Sequence, residues 1–277
     1  MGKLYLCGTP IGNLEDMTLR AIRILREVDL IAAEDTRQTI KLLNHYGIKK
    51  PMISYHEHNR YERGIEIVKK IKSGQNVAVV TDAGMPGISD PGEDIAKLCI
   101  DEGIDIEVIP GPTASITALV LSGLPTSKFV FEGFLSREGK ERKKQMEYLN
   151  YETKTVIIYE SPYRVKGTLL DLYENLGNRK IAICRELTKK FEEIIRTDLE
   201  NSINLYEDNE PKGEFVIILE GKDEAEIEEE KIKEWDKLSV NDHIDMYLEK
   251  GLTKKEAMKM VAKDRGISKR DVYKYTI

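Results

Sequence analysis

From Lys3 to about Gly221, short apolar runs alternate with longer segments of helical period, and this alternation restricts the fold more than any other feature of the 277 residues. KLYLC is followed by TLRAIRILREV, then DLIAAE, then QTIKLLNHYG. In the first helical segment Leu19, Ile22, Leu25 and Val28 share one face, with Asp16 or Thr18 available as its cap. The rhythm continues through RGIEIVKKIKSG, NVAVV, DIAKLCIDEG, IDIEVIPG and the apolar segment SITALVLSG, which is the βαβα pattern of a parallel, doubly wound sheet. Gly47, Gly74 and Gly103 stand just past periodic segments, where helices end on a left-handed residue.

LSGLPTS (121–127) reads as a linker, and a second β/α set follows it. Strands are expected in FVFEGF, KTVIIYES, KIAICREL, FEEIIRT and GEFVIILEG. Of the last two, one lacks a long helical segment after it, so part of this sheet should be antiparallel. The expected organisation is an α/β domain over 1–122, a second α/β domain over 127–221, and an acidic linker or solvated helix over 222–236 with eight acidic residues against three lysines. A basic tail over 237–277 completes it. There Ser239, Thr253 and Ser268 are each followed three residues later by Asp242, Glu256 and Asp271, predicting three capping boxes and a small helix-turn-helix-like unit.

Composition narrows the function classes. A net charge of −6 argues against wrapping nucleic acid over the whole surface, although local basic patches remain able to bind it. Cys7, Cys99 and Cys184 are odd in number and far apart, which fits reduced thiols in a cytoplasmic protein and neither a disulfide framework nor a metal site. No apolar stretch approaches the ~18 residues of a membrane span, so no membrane partner is expected.

The chemistry lies in the loops after the strands. No G-x-G-x-x-G follows the first strand and no G-x-x-x-x-G-K-[ST] occurs, so dinucleotide and ATP fingerprints are missing. The first turn, CGTPIGNLED, carries Pro10, Glu15 and Asp16. The loop TDAGMPGISDPG (81–92) carries Pro86, Pro91, Asp82 and Asp90 with no Lys or Arg. Prolines remove N–H donors and carboxylates repel anions, so both turns disfavour a pyrophosphate and favour a ligand that is neutral or cationic at its centre. S-adenosylmethionine, a sulfonium without phosphate, meets that description; equally, Asp90 and Glu93 could simply charge the start of the next helix. A third turn, PGPTASITAL (110–119), adds small residues at another strand end, where open α/β sheets bind ligands.

CGTPIGNLEDMTLRA, AEDTR, TDAGMPGISDPG, PGPTASITAL, EGFL, YESPYR and GEFVIILEG, in this order and spacing, closely resemble the ribosomal RNA small subunit methyltransferase I family, part of the tetrapyrrole methylase-like superfamily. The resemblance covers essentially the whole chain. It implies two α/β domains of the non-Rossmann S-adenosylmethionine fold with an inter-domain cleft, followed by the three-helix unit. The activity implied is 2′-O-methylation of a decoding-region cytidine in 16S rRNA by a cytoplasmic homodimer that acts on the small ribosomal subunit. Carried over motif by motif, the donor pocket would include Pro10, Gly84, Met85, Pro86, Ile88, Ser115, Ile116, Tyr159, Leu187 and Glu214. Where tetrapyrrole-modifying relatives have a G-P-G-D run, this chain has Thr9-Pro10-Ile11-Gly12-Asn13, which argues against a porphyrinoid substrate.

An RNA substrate should leave basic footprints. SREGKERKKQ (136–145) holds five basic residues, of which Arg137, Lys140, Arg142, Lys143 and Lys144 are candidate phosphate ligands. In the tail, nine basic residues between Lys250 and Lys274 face three acids, and Lys254, Lys255, Lys269 and Arg270 are the candidates there. The 2′-hydroxyl is a poor acid, so a base or a cation beside it would help. Asp35 and Arg37 in AEDTR, Arg164 in YESPYR, and Glu186 and Lys189 in CRELTK are the candidates, with Asp35 or Thr36 also suited merely to cap the following helix. Methylation of a tetrapyrrole or a protein side chain by the same fold, or RNA binding without catalysis, are the competing readings.

Overall fold

The computed structural model describes residues 1–90, 92–206 and 211–275; Pro91, counted above among the loop prolines, lies outside them. Strands β1 (Leu4–Cys7), β2 (Leu30–Ala33), β3 (Met52–Ser54), β4 (Val77–Val80) and β5 (Ile106–Ile109) form a sheet in the order β3-β2-β4-β1-β5, parallel throughout. Helices α1 (Leu19–Glu27), α2 (Thr36–His45), α3 (Arg60–Lys72) and α4 (Glu93–Asp101) connect these strands, and α5 (Ala114–Ser122) follows β5. Thr18, one of the two cap candidates, caps α1 by accepting the N–H of Ala21 at 3.1 Å. Val77 and Val79 pack with Leu4, Ile67 and Ile95 on one face of the sheet, while Ala78 and Val80 pack with Ile24, Leu25 and Leu43 on the other. Burial on both faces is why LIAA and VAVV read as unbroken apolar runs. At three residues, β3 is too short to show a period, so nothing in its sequence marks it as a strand.

The second sheet contains β6 (Phe129–Phe134), β7 (Thr155–Glu160), β8 (Lys180–Arg185), β9 (Glu193–Asp198) and β10 (Phe215–Leu219) in the order β6-β7-β10-β8-β9. β6 and β7 are parallel, whereas β10 runs antiparallel to both β7 and β8, and β9 antiparallel to β8. Helices α6 (Gly139–Tyr151), α7 (Val165–Leu176) and α8 (Leu199–Ser202) accompany it.

Both sheets fall in one compact unit, residues 1–146 and 155–220, where the sequence suggested a domain break near 122–127. The cause is α5. In chain order it belongs to the first sheet, yet Ala118 and Leu119 share a core with Ile157, Ala182, Cys184, Val216 and Ile218 of the second. Arg196 of β9 also donates to the Leu121 carbonyl at 3.0 Å.

Residues 147–154 and 221–277 form a separate unit. The acidic stretch is helical, as α9 (Glu224–Asp236), and is followed by α10 (Val240–Glu249), α11 (Lys254–Asp264) and α12 (Lys269–Lys274) around Val240, Ile244, Ala257, Val261 and Val272. The buried Lys222 pairs with Glu230 and lies 5.7 Å from the Tyr151 ring centroid. Of the three expected capping boxes, only Thr253/Glu256 is complete, with Glu256 accepting the Thr253 backbone N–H at 2.9 Å. Ser239 and Ser268 do accept the N–H groups of Asp242 and Asp271, but each aspartate takes its serine hydroxyl, at 2.6 Å, in place of the backbone. Aspartate is one methylene shorter than glutamate, so the reciprocal arm closes on the nearer group.

Candidate active site

Because the first sheet is parallel, the turns after β1, β2, β4 and β5 emerge on one edge, and the order β3-β2-β4-β1-β5 puts the turns after β1 and β4 side by side. They are strapped together: Thr9 N–H donates to the Gly84 carbonyl at 2.9 Å and Gly84 N–H returns to Thr9 at 3.1 Å. The turn after β5 comes equally close. A Cβ on Gly8 would lie 2.8 Å from Gly111 Cα and 2.6 Å from Met85 Sδ, so only a glycine admits this packing. The second sheet reaches the same place through the Tyr159 hydroxyl, which accepts the Ser115 N–H at 3.1 Å. Thr113, the α5 cap residue, makes no side-chain cap bond, and Tyr159 satisfies one of the free N–H groups of that helix instead.

These turns enclose a cavity of about 290 Å³. Gly84, Met85, Ile88, Tyr159, Leu187 and Glu214, six of the ten expected donor-pocket residues, line it. Pro10 and Pro86 are buried and off the lining; Ser115 is buried with its N–H on Tyr159, and Ile116 is partly exposed and also off the lining. For the 110–119 segment the lining residues are Thr113 and Ala114, because the turn itself faces the cavity and the first helical turn already packs on the second sheet. Ile11, Asp90, Phe134 and Glu160 line it as well and were not assigned to the donor from sequence. Phe134 and Glu160 stood in the EGFL and YESPYR motifs, which was the available signal.

The electrostatics are one-sided. Asp90, Glu160 and Glu214 line the wall, and no Lys, Arg or His does so among the described residues. Glu160 is neutralised from behind by Arg164 at 3.4 Å and accepts the Thr168 hydroxyl at 2.7 Å. Glu214 takes the Lys189 ammonium at 2.8 Å. The charged neighbours that act on Asp90 are the carboxylates Glu34 and Asp82; burial foremost, and then these two, push its pKa up to about 7. Asp82 itself braces the loop. It accepts the Asp35 N–H at 3.1 Å, and its own N–H donates to Glu34 at 3.2 Å. Burial likewise raises Glu34 and Asp82. An anionic ligand would be repelled here, and a cationic one would restore the ionised form of Asp90. The donor set therefore fits a sulfonium compound.

The five candidate catalytic residues fall in three places. Asp35 caps α2, accepting the Arg37 N–H at 2.8 Å, and pairs with the exposed Arg37 guanidinium at 2.7 Å; hydrogen bonds from Arg37 hold its carboxyl down at about 2. Arg164, a candidate cation beside the hydroxyl, is instead held inside the fold: it donates to the Leu135 carbonyl at 2.6 Å and pairs with buried Glu160. Glu186 and Lys189 lie on the strained turn after β8, where Glu186 and Thr188 both adopt positive φ, +50° and +64°. Lys189 bridges Glu186 at 2.9 Å and Glu214 at 2.8 Å; burial opposes its charge, but these two bonds outweigh it and raise its pKa.

Of the basic candidates, Arg137, Lys140, Lys143 and Lys144 are exposed, as are Lys254, Lys255, Lys269 and Arg270. Arg142 is not available to RNA. Its side chain is 12% exposed and is spent on Asp171 at 2.6 Å, the Ser136 carbonyl and the Thr168 hydroxyl, since its place on α6 turns it toward α7 and away from solvent. Among the described residues no group of three His, Cys, Asp or Glu side chains is placed to hold a metal ion, and no helix is long and apolar enough to cross a membrane.

The model of the family described as Tetrapyrrole (Corrin/Porphyrin) Methylases matches residues 3–202, which take in the parallel sheet and most of the cavity-lining residues. The solved uroporphyrin-III C-methyl transferase of Thermus thermophilus, complexed with S-adenyl homocysteine, shares the fold with a TM-score of 0.56 at 20% identity, over 79% of this chain and 97% of that one. Ribosomal RNA small subunit methyltransferase I of Bacillus subtilis (strain 168) is 49% identical over 273 residues, 99% of this chain and 93% of the relative. The protein of the same name from Thermotoga maritima is 49% identical over 223 residues, 80% of this chain and 100% of the relative. The chain belongs to the ribosomal RNA small subunit methyltransferase I family.

Proposed function

We propose that this chain uses S-adenosylmethionine to methylate the 2′-hydroxyl of a cytidine ribose in the decoding region of 16S rRNA. The observation that carries the reading is the cavity wall, with three carboxylates and no cation among the described residues, in a chain nearly half identical to relatives named as methyltransferases of small-subunit ribosomal RNA. When bound, the donor supplies an activated methyl carbon on a sulfonium. The protein does the remaining work. Met85, Ile88, Leu187 and Tyr159 form apolar walls, the Gly84 turn brings backbone close, and Asp90 complements positive charge. Pro10, Pro86, Ser115 and Ile116 shape the turns from outside the lining.

Holding the hydroxyl in line with the methyl carbon supplies much of the acceleration, since a fixed geometry replaces a bimolecular encounter. Asp35 or Glu186 orients the hydroxyl, Arg37 and Lys189 face the RNA backbone, and Arg164 acts indirectly by fixing Glu160 and the end of β6. Arg137, Lys140, Lys143, Lys144, Lys254, Lys255, Lys269 and Arg270 grip phosphates. The enzyme works in the cytoplasm as a homodimer. The test is to incubate it with methyl-labelled S-adenosylmethionine and assembled small subunits, naked rRNA and a tetrapyrrole, then digest and locate the label. Label on a cytidine ribose supports the reading; label on the tetrapyrrole alone, or on nothing, rejects it.

A further inference from the structure

β10 is antiparallel to both β7 and β8, so β8 runs parallel to β7, as β6 does. The loops leaving β6, β7 and β8 therefore emerge along one edge of the second sheet, the edge where β10 enters and where Glu214 lines the cavity. Each of these strand ends or loops carries a solvent-facing aromatic ring: Phe134, the last residue of β6, is 55% exposed, Tyr163 95% and Phe191 68%. Phe134 lines the cavity, meets Tyr159 in a T-shaped contact at 5.7 Å and remains more than half exposed. Tyr163 directly follows Pro162 of the lining, and its turn is pinned to the end of β6 by the Arg164 bond to the Leu135 carbonyl. The two rings thus stand on rigidly braced backbone beside the cavity. Exposing large rings to water is unfavourable, and no intramolecular packing accounts for the almost bare Tyr163.

We infer that Phe134 and Tyr163 form a stacking lip for the substrate, the unstacked target cytosine resting on Phe134 and an adjacent base on Tyr163. This rests on the RNA methyltransferase reading above. A ribose hydroxyl can enter a cavity only if its nucleotide leaves the stack of its neighbours, and single-stranded RNA is held open by bases lying on aromatic rings. Stacking carries no charge requirement, so it suits a mouth whose wall is acidic, with the lysines outside it supplying the phosphate contacts.

The test compares Tyr163→Ala, Tyr163→Phe, Tyr163→Leu, Phe134→Leu and, as a control, Tyr61→Ala, which removes an exposed ring of α3 that does not line the cavity. Binding is read with a single-stranded oligoribonucleotide carrying a central cytidine next to 2-aminopurine, activity with assembled small subunits, and donor affinity by calorimetry. The unaltered protein should quench 2-aminopurine on binding; Tyr163→Ala and Tyr163→Leu should abolish that quenching, weaken oligonucleotide binding about tenfold and raise the KM for subunits. Tyr163→Phe should restore all three, Phe134→Leu should weaken binding similarly, and Tyr61→Ala should change nothing. Donor affinity should stay within about twofold in the Tyr163 variants, since Tyr163 is not among the residues that line the cavity. Unaltered RNA binding and quenching in Tyr163→Ala and Phe134→Leu, in an enzyme that labels cytidine ribose normally, overturns the lip alone. A loss of donor affinity in Phe134→Leu without loss of RNA binding overturns it too, by assigning that ring to the donor. An unaltered protein that labels no RNA overturns the function and the lip together.

Discussion

Replacing Asp90 by asparagine tests the electrostatic reading of the cavity most sharply. Burial and the neighbouring Glu34 and Asp82 lift the Asp90 carboxyl to about 7, and the Tyr159 hydroxyl across the cavity lies within its field. A group titrating there is about one-eleventh ionised at pH 6 and about ten-elevenths ionised at pH 8. A cationic donor that binds the ionised form should therefore gain about tenfold in affinity between those pH values. The amide would keep the shape and lose the titration, so the Asp90→Asn variant should bind about as weakly at pH 8 as the unaltered protein does at pH 6. Calorimetric titration of S-adenosylmethionine at pH 6, 7 and 8 into both proteins measures this. The donor's own amine titrates alike against both, so the difference between the two profiles isolates Asp90. If the profiles run parallel, Asp90 does not sense the donor's charge and the reasoning fails.

The same substitution should act oppositely on stability. A carboxyl raised from 3.8 to about 7 by folding costs nothing well below pH 3.8, where folded and unfolded chains both hold the proton. Stability declines as pH rises through that window, because the unfolded chain ionises first, and the full penalty is present above pH 7. Asp90→Asn should thus come close to the unaltered protein at pH 4 and exceed it clearly at pH 8; the pKa difference caps the gain at about 4 kcal/mol, and solvent screening of a half-exposed group reduces it to about 1–2 kcal/mol. Thermal melts at the two pH values check it. Gly213→Ala should destabilise by about 1–3 kcal/mol in denaturant unfolding, because Gly213 has φ +92° and an added Cβ would lie 2.5 Å from Glu186 Cγ. Arg142→Ala should lower the melting temperature and leave the salt dependence of RNA binding unchanged, whereas Lys143→Ala with Lys144→Ala should do the reverse, flattening the salt slope by about 1–2. Deleting residues 237–277 should flatten that slope by about 2 or more while donor affinity holds; an unchanged slope would take the tail out of RNA capture.

Much of the site was legible because strand ends in a parallel sheet converge wherever the strands lie, so charge and glycine content could be read from each turn separately. TDAGMPGISDPG announced a ligand other than a polyphosphate, and the cavity it borders has no cation on its wall among the described residues. What the loop did not announce was a division of labour between its two aspartates. Asp82 and Asp90 are chemically identical and eight residues apart; one accepts a backbone N–H from the neighbouring turn and the other faces the cavity. Arg142 was equally opaque, since in KERKK nothing distinguishes the arginine that folds back on Asp171 from the lysines that stay in solvent.

Local physics was written in the chain: hydrophobic period chose helix or strand, Thr18, Asp35, Ser239, Thr253 and Ser268 marked helix starts, and a missing long helix late in the second set of strands signalled that part of that sheet is antiparallel. These depend on neighbours a few residues away. Partnership across the chain depended on packing. SITALVLSG is apolar on nearly every face, so its period could not say which sheet it would cover; burial against Ile157, Val216 and Ile218 settled that, brought Ser115 to Tyr159, and closed the two sheets into one unit around the cavity. A buried contact between residues 44 apart is selected by shape and by the removal of water from both partners at once, and neither is expressed in the order of the residues.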